Sequence, residues 1–291
     1  LSEPEIFIQF ADRVPDWCVV IGLIGTGQEI HIGEEGGVAQ WKDAILKSKL
    51  KDKWDVYIPN SDLIINDFKE INKLTIEDSL NLSKTIRFHS SIVLYEFVDN
   101  LLKGNTEEAS RLSEELEGTG YNLRMTHNLD MAKKYIQERF ADNNEARYGI
   151  VTSSRDKELK HYGIHKGFNS PGEAKRGEFG KWYSNLKGME GSSNNFDKVV
   201  TEFGVQGLEL DFSLLAWGTD LIRSSNQWSN MYSTNYIDMS RIKDPLLLRL
   251  NAYRVLLTRG REGMVIYIPP IRDKMREIYK FIKDCGFKEL K

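Results

Sequence analysis

The chain has 291 residues, with 40 Lys plus Arg against 43 Asp plus Glu and a formal net charge of -3. That balance excludes a uniformly basic nucleic-acid-binding surface, so any such contact must come from local patches. Hydrophobic residues at 40% and charged residues at 29% suit one large globular domain or two ordinary ones, and no apolar run is long enough to span a bilayer.

Only two cysteines occur, Cys18 and Cys285, far apart in the chain. That excludes a disulfide framework and points to a reduced, cytoplasmic protein. Neither the cysteines nor the five histidines (31, 89, 127, 161, 165) have metal-ligand spacing, so no metal site is expected. No signal peptide is visible. The opening Leu-Ser-Glu-Pro reads as the interior of a longer chain, so a natural or engineered fragment is expected.

In chain order, residues 5–10 have the apolar spacing of a short helix. Residues 17–24 are a continuous apolar run rich in β-branched side chains, which predicts a strand buried on both faces of a parallel sheet. A glycine-rich loop, Gly25-Thr26-Gly27-Gln28-Glu29, follows it. From Gly22 the spacing imitates a phosphate-cradling P-loop, but Gln28 and Glu29 stand where lysine and Ser or Thr are needed. A Walker A is therefore rejected here, and no other segment matches one. A polar Gln at a strand's end remains able to sense a phosphate or a water; a plain turn is the alternative. Residues 38–50 read as a helix with Trp41, Ile45 and Leu46 on one face, and 54–59 as a short strand. The polar stretch 61–78 is expected to connect two lobes.

Residues 79–291 then alternate strand and helix, which predicts an α/β fold with a parallel sheet and helices on both faces. Strands are expected at 82–89, carrying Arg87, and at 121–126, 147–152 and 213–217; helices at 90–102, 106–116, 127–140 and 154–162. Residues 163–195, rich in Gly, Ser, Asn and Lys, read as a long surface excursion. Residues 220–237, with Trp228, Tyr232 and Tyr236, suit either a hairpin packed on the sheet or an aromatic platform for bases.

The last unit is the most informative. Asp244 and Pro245 look like an N-cap and a first-turn proline, ahead of an apolar helix. Gly260 and Gly263 bracket a turn holding Arg261 and Glu262, with Arg259 just before it, and an apolar strand runs from Met264 to Ile268. A planar guanidinium fixed there suits phosphate oxygens; a solvated surface turn is the other reading. An amphipathic helix is expected over 272–285.

Three strings now coincide in order: IGTGQEIHIGEEGG, TEFGVQGLELD and NAYRVLLTRGREGMVIYIP. They resemble motifs III, V and VI of superfamily 1 helicases, and most closely the Schlafen group 3-like DNA/RNA helicase domain family, over nearly the whole chain. The resemblance implies two RecA-like lobes closing over ATP. Residues 1–60 would be the tail of the first lobe and 79–291 the second. It implies that Gln28 senses the γ-phosphate and Arg259 is an arginine finger. Arg87, Gln206, Gly207, Glu209 and Arg261 would lie at the nucleotide. The complete protein would use ATP and Mg2+ and act on DNA or RNA. Walker A and Walker B patterns are absent from these residues, so this chain alone is expected not to hydrolyse ATP. A catalytically inactive RecA-like regulatory or binding module is the alternative. A dinucleotide enzyme is disfavoured by the lack of G-x-G-x-x-G after a first strand.

Overall fold

The computed structural model describes residues 1–23, 30, 37–81, 91–168, 178–234, 242, 244–271, 273 and 275–291. Two compact units result, Leu1–Ile86 with Arg241–Lys243, and Arg87–Ser240 with Asp244–Lys291.

In the first unit, helix α1 (Glu3–Ala11) starts with a reciprocal capping box: Glu5 N donates to Ser2 Oγ and Ser2 N to Glu5 Oε2. Each bond satisfies a main-chain donor that the first turn leaves unpaired. Helix α2 (Ala39–Lys47) and helix α3 (Asp62–Phe68) bury Ile45 and Phe68 in a core with Ile8, Ile58 and Ile71. Strands β1 (Val56–Ile58) and β2 (Leu74–Ile76) pair in parallel. Asp12 ties this unit together, accepting from Ser48 Oγ at 2.7 Å and from Trp54 Nε1 at 3.0 Å.

Two expectations fail here. The stretch 61–78 is not a plain connection, because α3, Ile71 and β2 fold into this unit's core. Its few apolar residues are diluted by polar ones, and only packing reveals them. Residues 17–23 form no strand, and Trp17, Val19, Ile21 and Leu23 are 80%, 70%, 81% and 84% exposed. A parallel strand needs neighbours to satisfy its main chain, and the described strands of this unit pair only with each other. The predicted strand at 82–89 and the Gly25–Glu29 loop lie outside the described residues.

The second unit carries a seven-stranded sheet. Its strands are β3 (Asn122–Thr126), β4 (Tyr148–Thr152), β5 (Lys166–Phe168), β6 (Val199–Thr201), β7 (Leu210–Ala216), β10 (Gly260–Tyr267) and β11 (Lys288–Glu289). The order is β11-β3-β10-β7-β4-β6-β5, and every pairing is parallel. Every residue of β4 is buried, as expected of a strand covered on both faces. Helices α4 (Ser91–Lys103), α5 (Thr106–Gly118), α6 (Leu129–Arg139), α7 (Glu178–Ser184), α8 (Glu202–Val205), α9 (Pro245–Leu257) and α10 (Arg276–Asp284) flank it on both sides. Asn128 caps α6 through Met131 N at 3.0 Å.

Three local readings change. Residues 154–162 hold only a short 3-10 turn at Leu159–Tyr162. Asp156 takes the Leu159 amide at 2.7 Å, and a side chain that bonds nearby main chain competes with helix. The 163–195 excursion is anchored rather than peripheral. Trp182 is fully buried against Gly149, where a Cβ would stand 2.7 Å from its ring. Asn194 donates to Ala146 O at 2.8 Å and accepts from Tyr148 N at 3.2 Å. The basic turn at 260–263 is the bulged start of β10. Gly263, at φ 153°, has no room for a side chain, since a Cβ would meet Asn122 O at 2.4 Å.

Finally, residues 222–229 form a hairpin of β8 (Ile222–Ser224) and β9 (Gln227–Ser229), turned through Ser225 and Asn226 at positive φ. Trp228 stacks on Trp217 at 6.1 Å and bonds Leu102 O through Nε1 at 2.7 Å. The hairpin therefore packs on the domain, the first of the two readings its composition allowed.

Candidate functional site

The segment TEFGVQGLELD makes a hard turn between two strands. After β6, α8 closes with Gln206 N on Glu202 O at 3.0 Å, and Leu208 N then bonds Val205 O at 3.0 Å. Gly207 sits at φ 84°, a left-handed conformation that L side chains resist. Gln206 and Gly207 are exposed and Glu209 is half-buried before β7 begins.

Helix α9 approaches this turn from the side. Asp244 caps it through Leu247 N at 2.9 Å, and Pro245 occupies its first turn. It ends at Thr258, whose hydroxyl donates back to Arg254 O at 2.9 Å. Arg259 follows immediately. Its Nη1 donates to Val205 O at 3.1 Å and Leu208 O at 3.0 Å, and its Nη2 to Thr258 Oγ1 at 2.8 Å. Its own carbonyl accepts from Leu210 N at 2.8 Å. With 1% of its surface exposed, Arg259 holds the Gln206–Gly207 turn from both flanks.

Arg261 has different partners. Its Nη2 bonds Asp211 Oδ1, and Asp211 Oδ2 accepts from Arg147 N at 2.6 Å. Burial is the strongest single influence and works against the Arg261 charge, but the bond to Asp211 and the nearby Asp211 and Glu209 charges together raise the pKa. Gln206, Gly207, Glu209 and Arg259 are thus brought to one turn, and Arg261 lies beside it through Asp211. Gln28 and Arg87 lie outside the described residues.

The other end of α8 meets a cluster that sequence reading missed. Arg249, Glu202 and Asp220 are all 0% exposed. Arg249 reaches Glu202 Oε1 from Nη1 and Nη2, both at 3.3 Å, Ser153 Oγ at 2.8 Å and Asp220 Oδ2 at 3.5 Å. Glu202 also accepts from Ser154 N and Oγ, each at 2.7 Å. Asp220 accepts from Tyr253 Oη at 2.8 Å and from Ser153 Oγ. Burial pushes the Asp220 carboxyl above its usual range, and the Arg249 charge opposes it. Asp156 adds a further acceptor, taking Thr219 N at 2.7 Å and Oγ1 at 3.1 Å. One signal was available: Arg249 interrupts the run Leu246-Leu247-Leu248-Arg249-Leu250, and an arginine amid that much apolar surface demands a buried acid.

Among the described residues, no three His, Cys, Asp or Glu side chains converge as a metal site.

A parallel sheet covered on both faces, with α8 and α9 meeting over one turn, is a RecA-like lobe of the helicase kind. The family model for the Schlafen group 3, DNA/RNA helicase domain matches residues 1–270, and the chain belongs to that family. No curated protein matches the chain.

Proposed function

We propose that this chain is the C-terminal portion of an ATP-dependent, superfamily 1 helicase-like motor acting on DNA or RNA. In this reading Arg259 is the arginine finger, and its fixed positive charge stabilises the oxygens of the phosphoryl group in transfer. Gln28 senses the γ-phosphate. Gln206, Gly207, Glu209, Arg87 and Arg261 contribute to the nucleotide's surroundings. When bound, magnesium would neutralise phosphate charge. The observation that carries this reading is the bonding of Arg259 to the carbonyls of Val205 and Leu208. It makes the two family motifs one mechanical piece, as coupling between nucleotide and nucleic acid requires.

The chain lacks a Walker A pattern, so its activity depends on a P-loop supplied by a preceding lobe. In a protein joining this chain to such a lobe, Arg259→Ala should lower ATP turnover by ~10³–10⁵ while ATP binding largely persists. Unchanged turnover would remove the finger role. Membership of the family supports a nucleic-acid partner. Among the described residues no helix is long and apolar enough to cross a membrane. Both cysteines are free thiols, which supports a reducing, cytoplasmic setting.

A second reading has its own observation. An arginine that is 1% exposed and bonded to main-chain carbonyls is also what a purely structural arginine looks like. A catalytically inactive RecA-like module binding nucleic acid or protein follows from that. The joined protein decides, since it would then show no ATP turnover and Arg259→Ala would lower stability alone.

A further inference from the structure

The helix inside TEFGVQGLELD is too short to hold itself. α8 spans Glu202–Val205 and closes on the bond from Gln206 N to Glu202 O. A single helical turn is unfavourable alone, so its pose comes from tertiary contacts. Arg249 meets it at Glu202, and Arg259 at Val205 O. A third contact comes from α7. A Cβ on Gly204 would stand 3.0 Å from Phe179 Cε2 and 3.4 Å from Val200 Cβ. The Phe179 ring and the Gly204 main chain therefore meet with no side chain between them, and close-packed contacts of this kind transmit displacement rather than absorb it.

The ring is itself held. Phe179 and Trp182 lie one turn apart on α7 and stack with centroids 6.0 Å apart at 14°. Trp182 is fully buried against Gly149 and donates Nε1 to Lys198 O at 3.1 Å. Ser184, the last residue of α7, accepts from Arg147 Nη2 at 3.3 Å. The Arg147 amide in turn holds Asp211, the partner of Arg261. One short helix is thus linked to both ends of the segment from Gly204 to Asp211.

We infer that Phe179 is a positioning residue of the candidate site: seated on Gly204 and backed by Trp182, it sets the pose of α8 and with it the Gln206–Glu209 turn. The inference rests on the proposed place of that turn at the nucleotide and adds α7 to the site's working parts.

Amide hydrogen exchange on the 291-residue chain reads the pose directly. The reporters are Gln206 N, bonded to Glu202 O, and Leu208 N, bonded to Val205 O. Phe179→Ala should raise exchange at both by roughly tenfold, and Phe179→Leu, which keeps an apolar branch over Gly204, by much less. Ser154 N, held by Glu202 Oε2, should not change. Gly204→Ala gives a test of sign. Helix propensity alone would slow exchange at Gln206, because alanine favours helix over glycine. Against the Phe179 ring the new Cβ is crowded, so exchange should rise in the wild-type background and fall once Phe179→Ala is present. If Phe179→Ala does not fold, Phe179→Leu supplies the second background. Unchanged exchange in Phe179→Ala, or the same sign for Gly204→Ala in both backgrounds, would overturn the positioning role.

Turnover is a separate readout. In a protein joining this chain to a P-loop lobe, Phe179→Ala should lower kcat roughly tenfold with KM for ATP unchanged, and Phe179→Leu should restore most of it. Raised exchange with kcat unchanged would remove Phe179 from the site's working parts. A joined wild-type protein without turnover would remove the functional reading and leave the contact between Phe179 and α8 standing on the exchange result.

Discussion

Arg249 donates to Glu202 Oε1 from two nitrogens, each at 3.3 Å, and neither side chain reaches solvent. The pair joins the helix ahead of Arg259 to the short helix ahead of Gln206. Its charges are tolerated in the interior because Ser153, Ser154 and Asp220 complete the hydrogen bonding.

Removing one partner should therefore be costly. Arg249→Met leaves Glu202 charged and buried, a loss of about 3–5 kcal/mol. Replacing both, Arg249→Met with Glu202→Gln, should recover a large share of that. Urea unfolding of the two singles and the double closes the cycle. Strict additivity would show that the two side chains do not act as a pair.

Asp220 should give stability an unusual pH dependence. Its folded pKa is raised, by burial first, with Arg249 opposing. The folded state therefore holds this proton more tightly than the unfolded chain. Its stabilising contribution is fully present below the ordinary carboxylate pKa, about 4, and is lost as pH rises through the raised value. The stability of the wild type relative to Asp220→Asn should thus be greatest under acid conditions and shrink towards neutrality. Paired urea melts across that range measure it, and a pH-independent difference would exclude the linkage.

Gly218 is a packing requirement of the same cluster. A Cβ there would stand 2.4 Å from both Cγ and Oδ2 of Asp156. Asp156 cannot retreat without losing Thr219 N and Leu159 N. Gly218→Ala should destabilise by about 1–3 kcal/mol, as overpacking does. A melting temperature equal to wild type would show that the loop relaxes freely.

Trp182 anchors the long insertion beside β4. It is fully buried, lies against Gly149 and donates Nε1 to Lys198 O at 3.1 Å. Trp182→Ala should cost about 3–5 kcal/mol, and Trp182→Phe less, because the ring volume is partly kept. A surface insertion would tolerate both, so chemical denaturation of the two variants separates the cases.

Much of the fold was legible because its signals are local. Asp244-Pro245 and the runs 121–126 and 147–152 announce a helix start and two strands from composition alone. The strings around Gln206 and Arg259 carried the family, which the match over residues 1–270 bears out. Other elements depended on distant partners. The apolar run at 17–23 has strand composition, but composition cannot supply a neighbouring strand. Conversely, 163–195 looks polar, yet Trp182 and Asn194 find their places on β4 from far along the chain.

By itself, then, the sequence determined the parallel α/β architecture of residues beyond 90, the helix caps and the family, because short-range periodicity and capping chemistry act within a few residues. Only the tertiary structure decided where the charges go. It turned Arg259 onto the carbonyls of Val205 and Leu208, gave Arg261 to Asp211, and buried Arg249 with Glu202 and Asp220. The reason is physical. A buried charge must be met by a complementary group, and the carboxylates and carbonyls that meet Arg249 and Arg259 lie 29 to 54 residues away in sequence.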